Sequence, residues 1–274
     1  TQATVQRPLL PRAARRRRGA TAVELALVGG PFFVLILGTM EAAWQLAPSA
    51  ALPSRLRPQE PPPRAARRVE LRDARVGQPA WSRLYLAPGA RGAQAELAPA
   101  LEVLAEALGG GPTARLYRRL VVEQGLAAST QVYYDPTVVD HATFRVAAVP
   151  RPGVPLDRLE AAIEAELAAV ARSGLPEPEL RAARDRLTAS AAYARDSLHT
   201  GARVLGEALA VGLSIDDVES WPDRVAAVDA ALVARAATLV LDPKGSVTGL
   251  LLPAPGAAPR PGPAALPVPT KEVH

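Results

Sequence analysis

The sequence contains no cysteine, so it can form neither a disulfide bond nor a thiolate metal site. Aromatic residues are also scarce, at 4%, although hydrophobic residues make up 49% of the 274 residues. A core must therefore be built from alanine, leucine and valine, and the length allows one or two domains with a sizeable core. This alanine-rich composition is typical of bacteria with GC-rich genomes.

Histidine is scarce as well, with only His141, His199 and His274. None of them has a second histidine and a glutamate at metal-binding spacing. Gly-Lys-Ser/Thr does not follow the glycines at 109–111, and no serine stands in a Gly-x-Ser-x-Gly setting. The patterns therefore indicate no metal, phosphate-loop or nucleophilic serine site in this chain.

The net charge of +5 is unevenly distributed. Residues 1–18 hold six arginines and no acidic residue, and a second arginine-rich stretch covers residues 55–75. A basic arm can bind nucleic acid or a membrane surface. Neither interleaved aromatic residues nor a nucleic-acid motif accompanies it, so we expect no nucleic-acid partner.

An uncharged, apolar run at residues 25–40 lies between Glu24 and Glu41. It is short for a bilayer span, but residues 42–47 can extend it, and its glycines and proline are better tolerated in a membrane than in a soluble helix. Arg15–Arg18 precede it, as the positive-inside rule requires of a cytoplasmic flank. The pattern predicts one transmembrane helix within residues 20–47. It places the N-terminus in the cytoplasm and everything after residue 47 outside a bacterial inner membrane, in the periplasm or beyond.

Gly19, Ala20 and Glu24 stand between the basic run and the apolar run. This spacing resembles a type IV prepilin signal, which is cleaved after its glycine. Residues 15 to about 46 resemble the N-terminus of TadE-like pilus-assembly proteins. An ordinary signal anchor is the alternative.

Composition divides the rest of the chain. Six prolines in residues 48–67 indicate an extended linker, and a Pro/Ala/Gly-rich tail at 254–274 is expected to be disordered. Residues 1–19 form a basic leader, 20–47 the transmembrane segment and 68–253 the main domain.

Within the main domain, hydrophobic periodicity predicts the order ββ-αα-ββ-ααααα-β, which is an α+β fold with an antiparallel or mixed sheet packed by helices. Strands are predicted near 69–71, 81–86, 127–134, 143–149 and 247–252, with Phe144, Val146 and Ala148 on one face. Helices are predicted near 97–108, 115–124, 156–172, 176–200, 201–212, from Ser214, and 229–241.

Gly109, Gly110 and Gly111 join two of these helices, and Pro112-Thr113-Ala114-Arg115-Leu116 follows. This segment resembles one in the pitrilysin/insulinase metallopeptidases, the inverzincins, where Gly-Gly-Gly-x-(Ser/Thr)-x-Arg-Leu opens a helix. Other matching segments lie at residues 151–153, 193–197 and 210–218. The resemblance covers residues 68–253 and is to the second, C-terminal domain of a two-domain peptidase.

The catalytic residues of that family are missing. Its zinc site requires His-x-x-Glu-His, which this chain lacks, so the resemblance implies that this chain binds no zinc and that a catalytic partner carries the metal. In active relatives the second domain contributes an arginine and a tyrosine. Val121 and Ala128 occupy those positions here, and Tyr133 and Tyr134 are out of register.

The resemblance therefore implies a non-catalytic half of a zinc metallopeptidase, inactive alone, which encloses a peptide beside a zinc-bearing subunit or a second copy of itself. Gly109, Gly110, Gly111 and Arg115 are the candidate substrate or partner contacts, and we expect Arg115→Ala to weaken association while the domain stays folded. Two alternatives stay open: a TadE-like structural protein of pilus assembly, and a fusion without joint function.

If a prepilin peptidase processes this chain, the mature N-terminus should be Ala20, because cleavage follows Gly19. Mass spectrometry of membrane-extracted protein measures this directly. Gly19→Leu should block cleavage, whereas Gly30→Leu should leave it unchanged. An intact Thr1 on protein that does not sediment with membranes would contradict both processing and anchoring.

Overall fold

The computed structural model describes residues 65–194 and 197–255. The predicted leader, transmembrane segment, most of the linker and most of the tail lie outside these residues and stay predictions. Within the described ranges, none of the helices has the length and apolar character needed to cross a bilayer.

Five strands form one mixed sheet in the order β1-β5-β2-β4-β3. They are β1 (Arg67–Asp73), β2 (Ala80–Ala87), β3 (Ala127–Tyr134), β4 (Ala142–Pro150) and β5 (Ser246–Pro253). The β1–β5 pair is parallel and the other three pairs are antiparallel. The predicted α+β fold with a mixed, helix-packed sheet is confirmed.

The helices of the described residues are α1 (Ala98–Gly109), α2 (Leu156–Ser173), α3 (Glu177–Ala194), α4 (Leu198–Ala210), α5 (Ile215–Glu219), α6 (Trp221–Ala226) and α7 (Ala230–Val240). Short 3₁₀ turns precede α1 and β5, at Ala95–Leu97 and Pro243–Gly245. A π-helix covers Tyr117–Glu123.

Three helix predictions need correction. The boundary between the helices predicted over 176–200 and 201–212 lies a few residues earlier, because Ser197 caps α4 by accepting a hydrogen bond from the Thr200 N–H. The helix after Arg115 is mainly a π-helix, in which the Gln124 N–H reaches back to the Arg119 carbonyl. A sixth helix, α6, stands between β4 and β5 where five were predicted.

The core lies between one face of the sheet and the helices. Phe144, Val146 and Ala148 are all buried on that face, as their alternation predicts. In α1, Leu101, Leu104 and Leu108 are fully buried, because their spacing places them on the one face of the helix that points into the core. Each leucine so buried stabilises the fold by roughly 1.5–3 kcal/mol.

One buried arginine ties the sheet to α2. Arg83 is 7% exposed, and its guanidinium donates to Thr248 Oγ1 at 2.8 Å, Glu160 Oε1 at 3.2 Å and Glu164 Oε1 at 2.7 Å. It also lies 5.2 Å from the centre of the Trp81 ring. Because an unpaired charge is costly to bury, these partners fix the position of α2 over β2 and β5.

The C-terminal end of α1 lies directly against β3. A Cβ added at Gly109 would overlap the backbone nitrogen of Val132 and lie 2.7 Å from its Cβ. Gly111 has a φ of +143°, which only glycine adopts readily. Close approach and backbone conformation thus explain two of the three glycines.

Gly109→Ala should lower the free energy of unfolding by about 3 kcal/mol, because the added methyl group meets backbone that cannot move without disturbing β3. Gly206→Ala is the control, since Gly206 lies in α4 with nothing within 4 Å of an added Cβ. It should be neutral or stabilising by up to about 1 kcal/mol. Denaturant unfolding of both variants checks this, and equal stability of the two would contradict the close approach.

Candidate interaction site

Gly109, Gly110 and Gly111 form a turn at the surface, at the junction of α1 and the π-helix, which we call the glycine turn. The Gly110 N–H closes α1 on the Glu106 carbonyl at 2.9 Å, and the Ala114 N–H bonds to the Gly111 carbonyl at 3.0 Å. Gly110 is exposed, whereas Gly109 and Gly111 are partly buried. The turn redirects the chain so that Arg115 points toward the helices.

Arg115 is paired within the chain. Its Nε donates to Glu166 Oε2 of α2 at 2.9 Å, and its Nη1 lies 3.2 Å from Glu179 Oε2 of α3. Arg118 adds a 2.8 Å contact to Glu179. The side chains of Arg115, Glu166 and Glu179 are only 14%, 17% and 18% exposed. The arginine therefore joins three helical segments, and its predicted contact with a partner stays a prediction.

The positions expected to carry the family's arginine and tyrosine offer no such chemistry. Val121 is buried and Ala128 is exposed on β3. Tyr134 is buried and donates to the Pro88 carbonyl at 2.6 Å, and burial raises the pKa of its phenol. Tyr133 is 55% exposed and faces away from the core.

The described residues do not fit a zinc site. No group of three or more histidine, aspartate or glutamate side chains among them is close enough to hold a metal ion. His141 and His199 are both exposed and lie in separate elements, and His274 is outside the described residues. No chemical step through a metal can be assigned to these side chains.

The second surface of interest is the sheet face opposite the core. We call this surface the outer sheet face. Its large exposed side chains, which are 37–59% exposed, are Val69, Leu71, Leu84, Tyr133 and Leu251. Leu71 and Leu251 are neighbours in the β1–β5 register, and Leu84 and Tyr133 are joined across β4 through Arg145.

Sequence analysis missed this face, although a signal existed. Outward positions of β2 carry Leu84 and Leu86 while its inward positions carry Trp81 and Tyr85. A strand that is apolar on both faces is typical of a sheet covered on both sides. Here, among the described helices, the core side alone receives a helix layer.

The described residues form a two-layer α+β domain, with one mixed sheet and one layer of helices. A family model described as "Peptidase M16 inactive domain" matches residues 37–187, which is more than half of the chain. The chain therefore belongs to the Peptidase M16 inactive domain family. This confirms the pitrilysin/insulinase resemblance, while the TadE-like segment stays a prediction.

Solved structures agree on the fold. A protease from Helicobacter pylori is 19% identical with a TM-score of 0.65, over 74% of this chain and 48% of that one. The inactive peptidase domain of a proposed zinc protease from Bordetella parapertussis is 23% identical with a TM-score of 0.59, over 72% and 99%. A proposed zinc protease from Bordetella pertussis Tohama I is 22% identical with a TM-score of 0.57, over 65% and 95%.

At these identities the likeness establishes the fold alone. The chain spans about half of the Helicobacter protease and nearly all of the two Bordetella chains. No curated protein matches the sequence.

Arg115→Ala should lower the free energy of unfolding by about 2–3 kcal/mol, because it leaves Glu166 and Glu179 partly buried without their shared cation. The control is Arg75→Ala, whose side chain is 91% exposed in its pair with Asp73 and which should change stability by less than about 0.5 kcal/mol. Denaturant unfolding measures both. If the two variants behave alike, the ion pairs of Arg115 do not hold the helices together.

Proposed function

We propose that this chain is the non-catalytic half of an M16-type zinc peptidase, which closes over a peptide beside a zinc-bearing domain. Membership of the inactive domain family supports a non-catalytic role. The match to about half of the Helicobacter protease supports a partner domain that supplies the other half of the peptidase. Under this proposal the metal, the water and the proton transfers all belong to the partner. This chain supplies a wall and a docking surface.

The observation that carries the proposal is the outer sheet face, which none of the described helices covers. Val69 and Leu71 on β1 are 59% and 58% exposed, although β1 lies next to the apolar strand β5. Arg145 separates Leu84 from Tyr133. The contiguous apolar part of this face is therefore the β1–β5 end with Val69, Leu71 and Leu251. Monomeric soluble proteins rarely leave a contiguous apolar patch uncovered beyond a few hundred Å². A sheet with one helix layer can bury its other face against a second domain, which is how layered folds are completed.

The glycine turn and Arg115 belong to the same proposal in a more limited way. Gly111 leaves open space that a partner can approach closely, whereas the Glu106 carboxylate, paired with Arg186, covers Gly110. Arg115 supports that turn through its pairs to α2 and α3. Its contribution to association would therefore be indirect, through the position of the turn.

Membrane attachment through residues 20–47 completes the proposal. It places the main domain on the outer side of a bacterial inner membrane. The observations that support it are the arginine run, the prepilin-like Gly19 and Glu24, and the uncharged stretch at 25–40.

The full chain should associate with a zinc-bearing M16 domain and cleave an unfolded peptide only in its presence. Leu71→Glu should weaken this association at least about tenfold, because a carboxylate replaces an apolar side chain at the contact. Leu239→Glu is the control, since Leu239 is 43% exposed on α7, away from the sheet. Sedimentation with a candidate partner, and with the chain alone to detect a homodimer, measures both.

Two results would contradict the proposal. Chelator-sensitive cleavage by this chain alone would show that it carries its own metal site. A chain that stays monomeric with every zinc-bearing M16 partner of its genome, with Leu71→Glu silent, would favour the structural role in pilus assembly.

A further inference from the structure

A second site lies in the helical layer, away from the outer sheet face. A cavity of about 480 Å³ opens between α3, α4, α5 and α6, with Glu102 of α1 in its wall. This volume is within the range of small-ligand pockets, roughly 300–1,000 Å³. The cavity does not involve the glycine turn or Arg115.

The wall of this cavity is apolar over most of its surface. Leu187 and Ala191 of α3 face Val204 and Leu205 of α4 across the opening. The indole of Trp221 adds a flat aromatic surface. Such a wall favours an aliphatic or aromatic body and selects against a strongly hydrated ion.

The polar groups of the cavity are predominantly acidic. Arg224 is the cationic side chain among the described residues that line it, and the carboxylates there are Glu102, Asp135, Glu207, Asp217 and Glu219. Arg224 is already engaged, because it donates to the backbone carbonyl of Asp217. The charge balance of the cavity is therefore negative.

Several of these carboxylates have local partners. Asp135 accepts from the Thr137 N–H at 2.8 Å, Asp217 accepts from the N–H and hydroxyl of Ser214, and Glu207 pairs with Arg203 at 2.9 Å. These bonds explain the positions of the three side chains without a ligand.

Glu102 differs from them. Trp221 Nε1 donates to its two oxygens at 3.0 and 2.9 Å, and no lysine or arginine of the described residues forms an ion pair with it. A carboxylate can accept about four hydrogen bonds, and Trp221 supplies the side-chain donor that the described residues give to Glu102. Trp221 is a neutral donor, and Arg224 acts on Glu102 only through space, so a cation that enters the cavity and contacts the carboxylate would offset the cost of its desolvation.

The electrostatics of Glu102 agree with this view. Burial raises the pKa of its carboxyl from 4.5 to about 7, and the nearby Asp135 adds to that rise, whereas Trp221 and Arg224 oppose it. The phenol of the neighbouring Tyr134 is neutral near pH 7, because burial raises its pKa. The carboxylate therefore ionises near neutral pH.

We propose that this cavity binds an organic cation, an ammonium group on an aliphatic stem, with the ammonium on Glu102 and the stem against Leu187, Ala191 and Val204. A metal ion fits less well, because no three acidic or histidine side chains among the described residues converge on one point. A lysine side chain and a free alkylamine share this chemistry. The inference does not rest on the proposed docking of a catalytic partner.

The probe for the test is pentylammonium, compared with 1-pentanol and pentanoate, which have similar stems but no positive charge. Calorimetric titration of the full chain at pH 8 should give saturable binding of pentylammonium at least about tenfold tighter than of either analogue. The NMR signal of the Trp221 indole N–H should shift with the same affinity. Equal binding of pentanol would overturn the proposal.

Variants locate the binding. Glu102→Gln should weaken pentylammonium at least about tenfold, since the amide oxygen still accepts from Trp221 but carries no charge. Glu96→Gln is the control, because Glu96 is exposed just before α1 and outside the cavity. Ala191→Leu should abolish binding by filling the cavity while Glu102 remains. If either Glu102→Gln or Ala191→Leu leaves the affinity for pentylammonium unchanged, the proposed site is wrong.

Affinity should also depend on pH. Glu102 with a pKa of about 7 is mainly protonated at pH 6, so pentylammonium should bind about tenfold more weakly there than at pH 8. Glu102→Gln should lose this dependence, whereas Glu96→Gln should keep it. Unchanged affinity across this range in the parent chain would contradict the role of Glu102.

Two tripeptides separate the sources of the cation. N-acetyl-Ala-Lys-Ala-amide is compared with the norleucine peptide of the same length. Tighter binding of the lysine peptide than of pentylammonium would assign the cavity to polypeptide side chains. Binding of pentylammonium alone would assign it to free amines, and binding of neither would overturn the proposal.

Discussion

Helix α1 lies in the middle of the structure, with β3 on one side and helices α3 and α7 on the other. Its leucines fill the core, so every element that packs on it depends on how closely it can approach the sheet. At its C-terminal end the approach is close enough that only glycine fits at position 109. The glycine turn then follows from this packing, because the chain must leave the helix without striking β3.

Charge completes what apolar packing begins. Arg83 joins β2 and β5 to α2, and Arg115 joins the π-helix to α2 and α3. Buried ion pairs contribute little net stability, but they penalise alternative arrangements, because an arrangement that separates the partners leaves an unpaired charge. The acidic helix α2 is thereby held in one position over the sheet.

The chemistry of the described residues is concentrated on two surfaces. The described residues assemble no metal site, Tyr134 is buried against a backbone carbonyl, and Tyr133 is exposed but out of register with the family's tyrosine. What is available instead is one apolar sheet face and one acidic cavity on the helical side. These are separate surfaces, so the proposed docking and the proposed ligand binding would not compete for the same residues.

The sequence by itself determined the strands, most helices and the family, because hydrophobic alternation, leucine spacing and the Gly109–Arg115 segment are local patterns. It also determined that no His-x-x-Glu-His site exists. It placed the break between α3 and α4 near residue 200 and not before Ser197, since a helical pattern continues through Ser197 and the cap is a single hydroxyl.

Only the tertiary structure decided which side of the sheet is bare, where Arg115 points and what surrounds Glu102. Glu102 reads as an ordinary polar position on a helix, and Trp221 lies 119 residues away along the chain. Burial and charge pairing depend on neighbours that are distant in sequence, which no local pattern encodes.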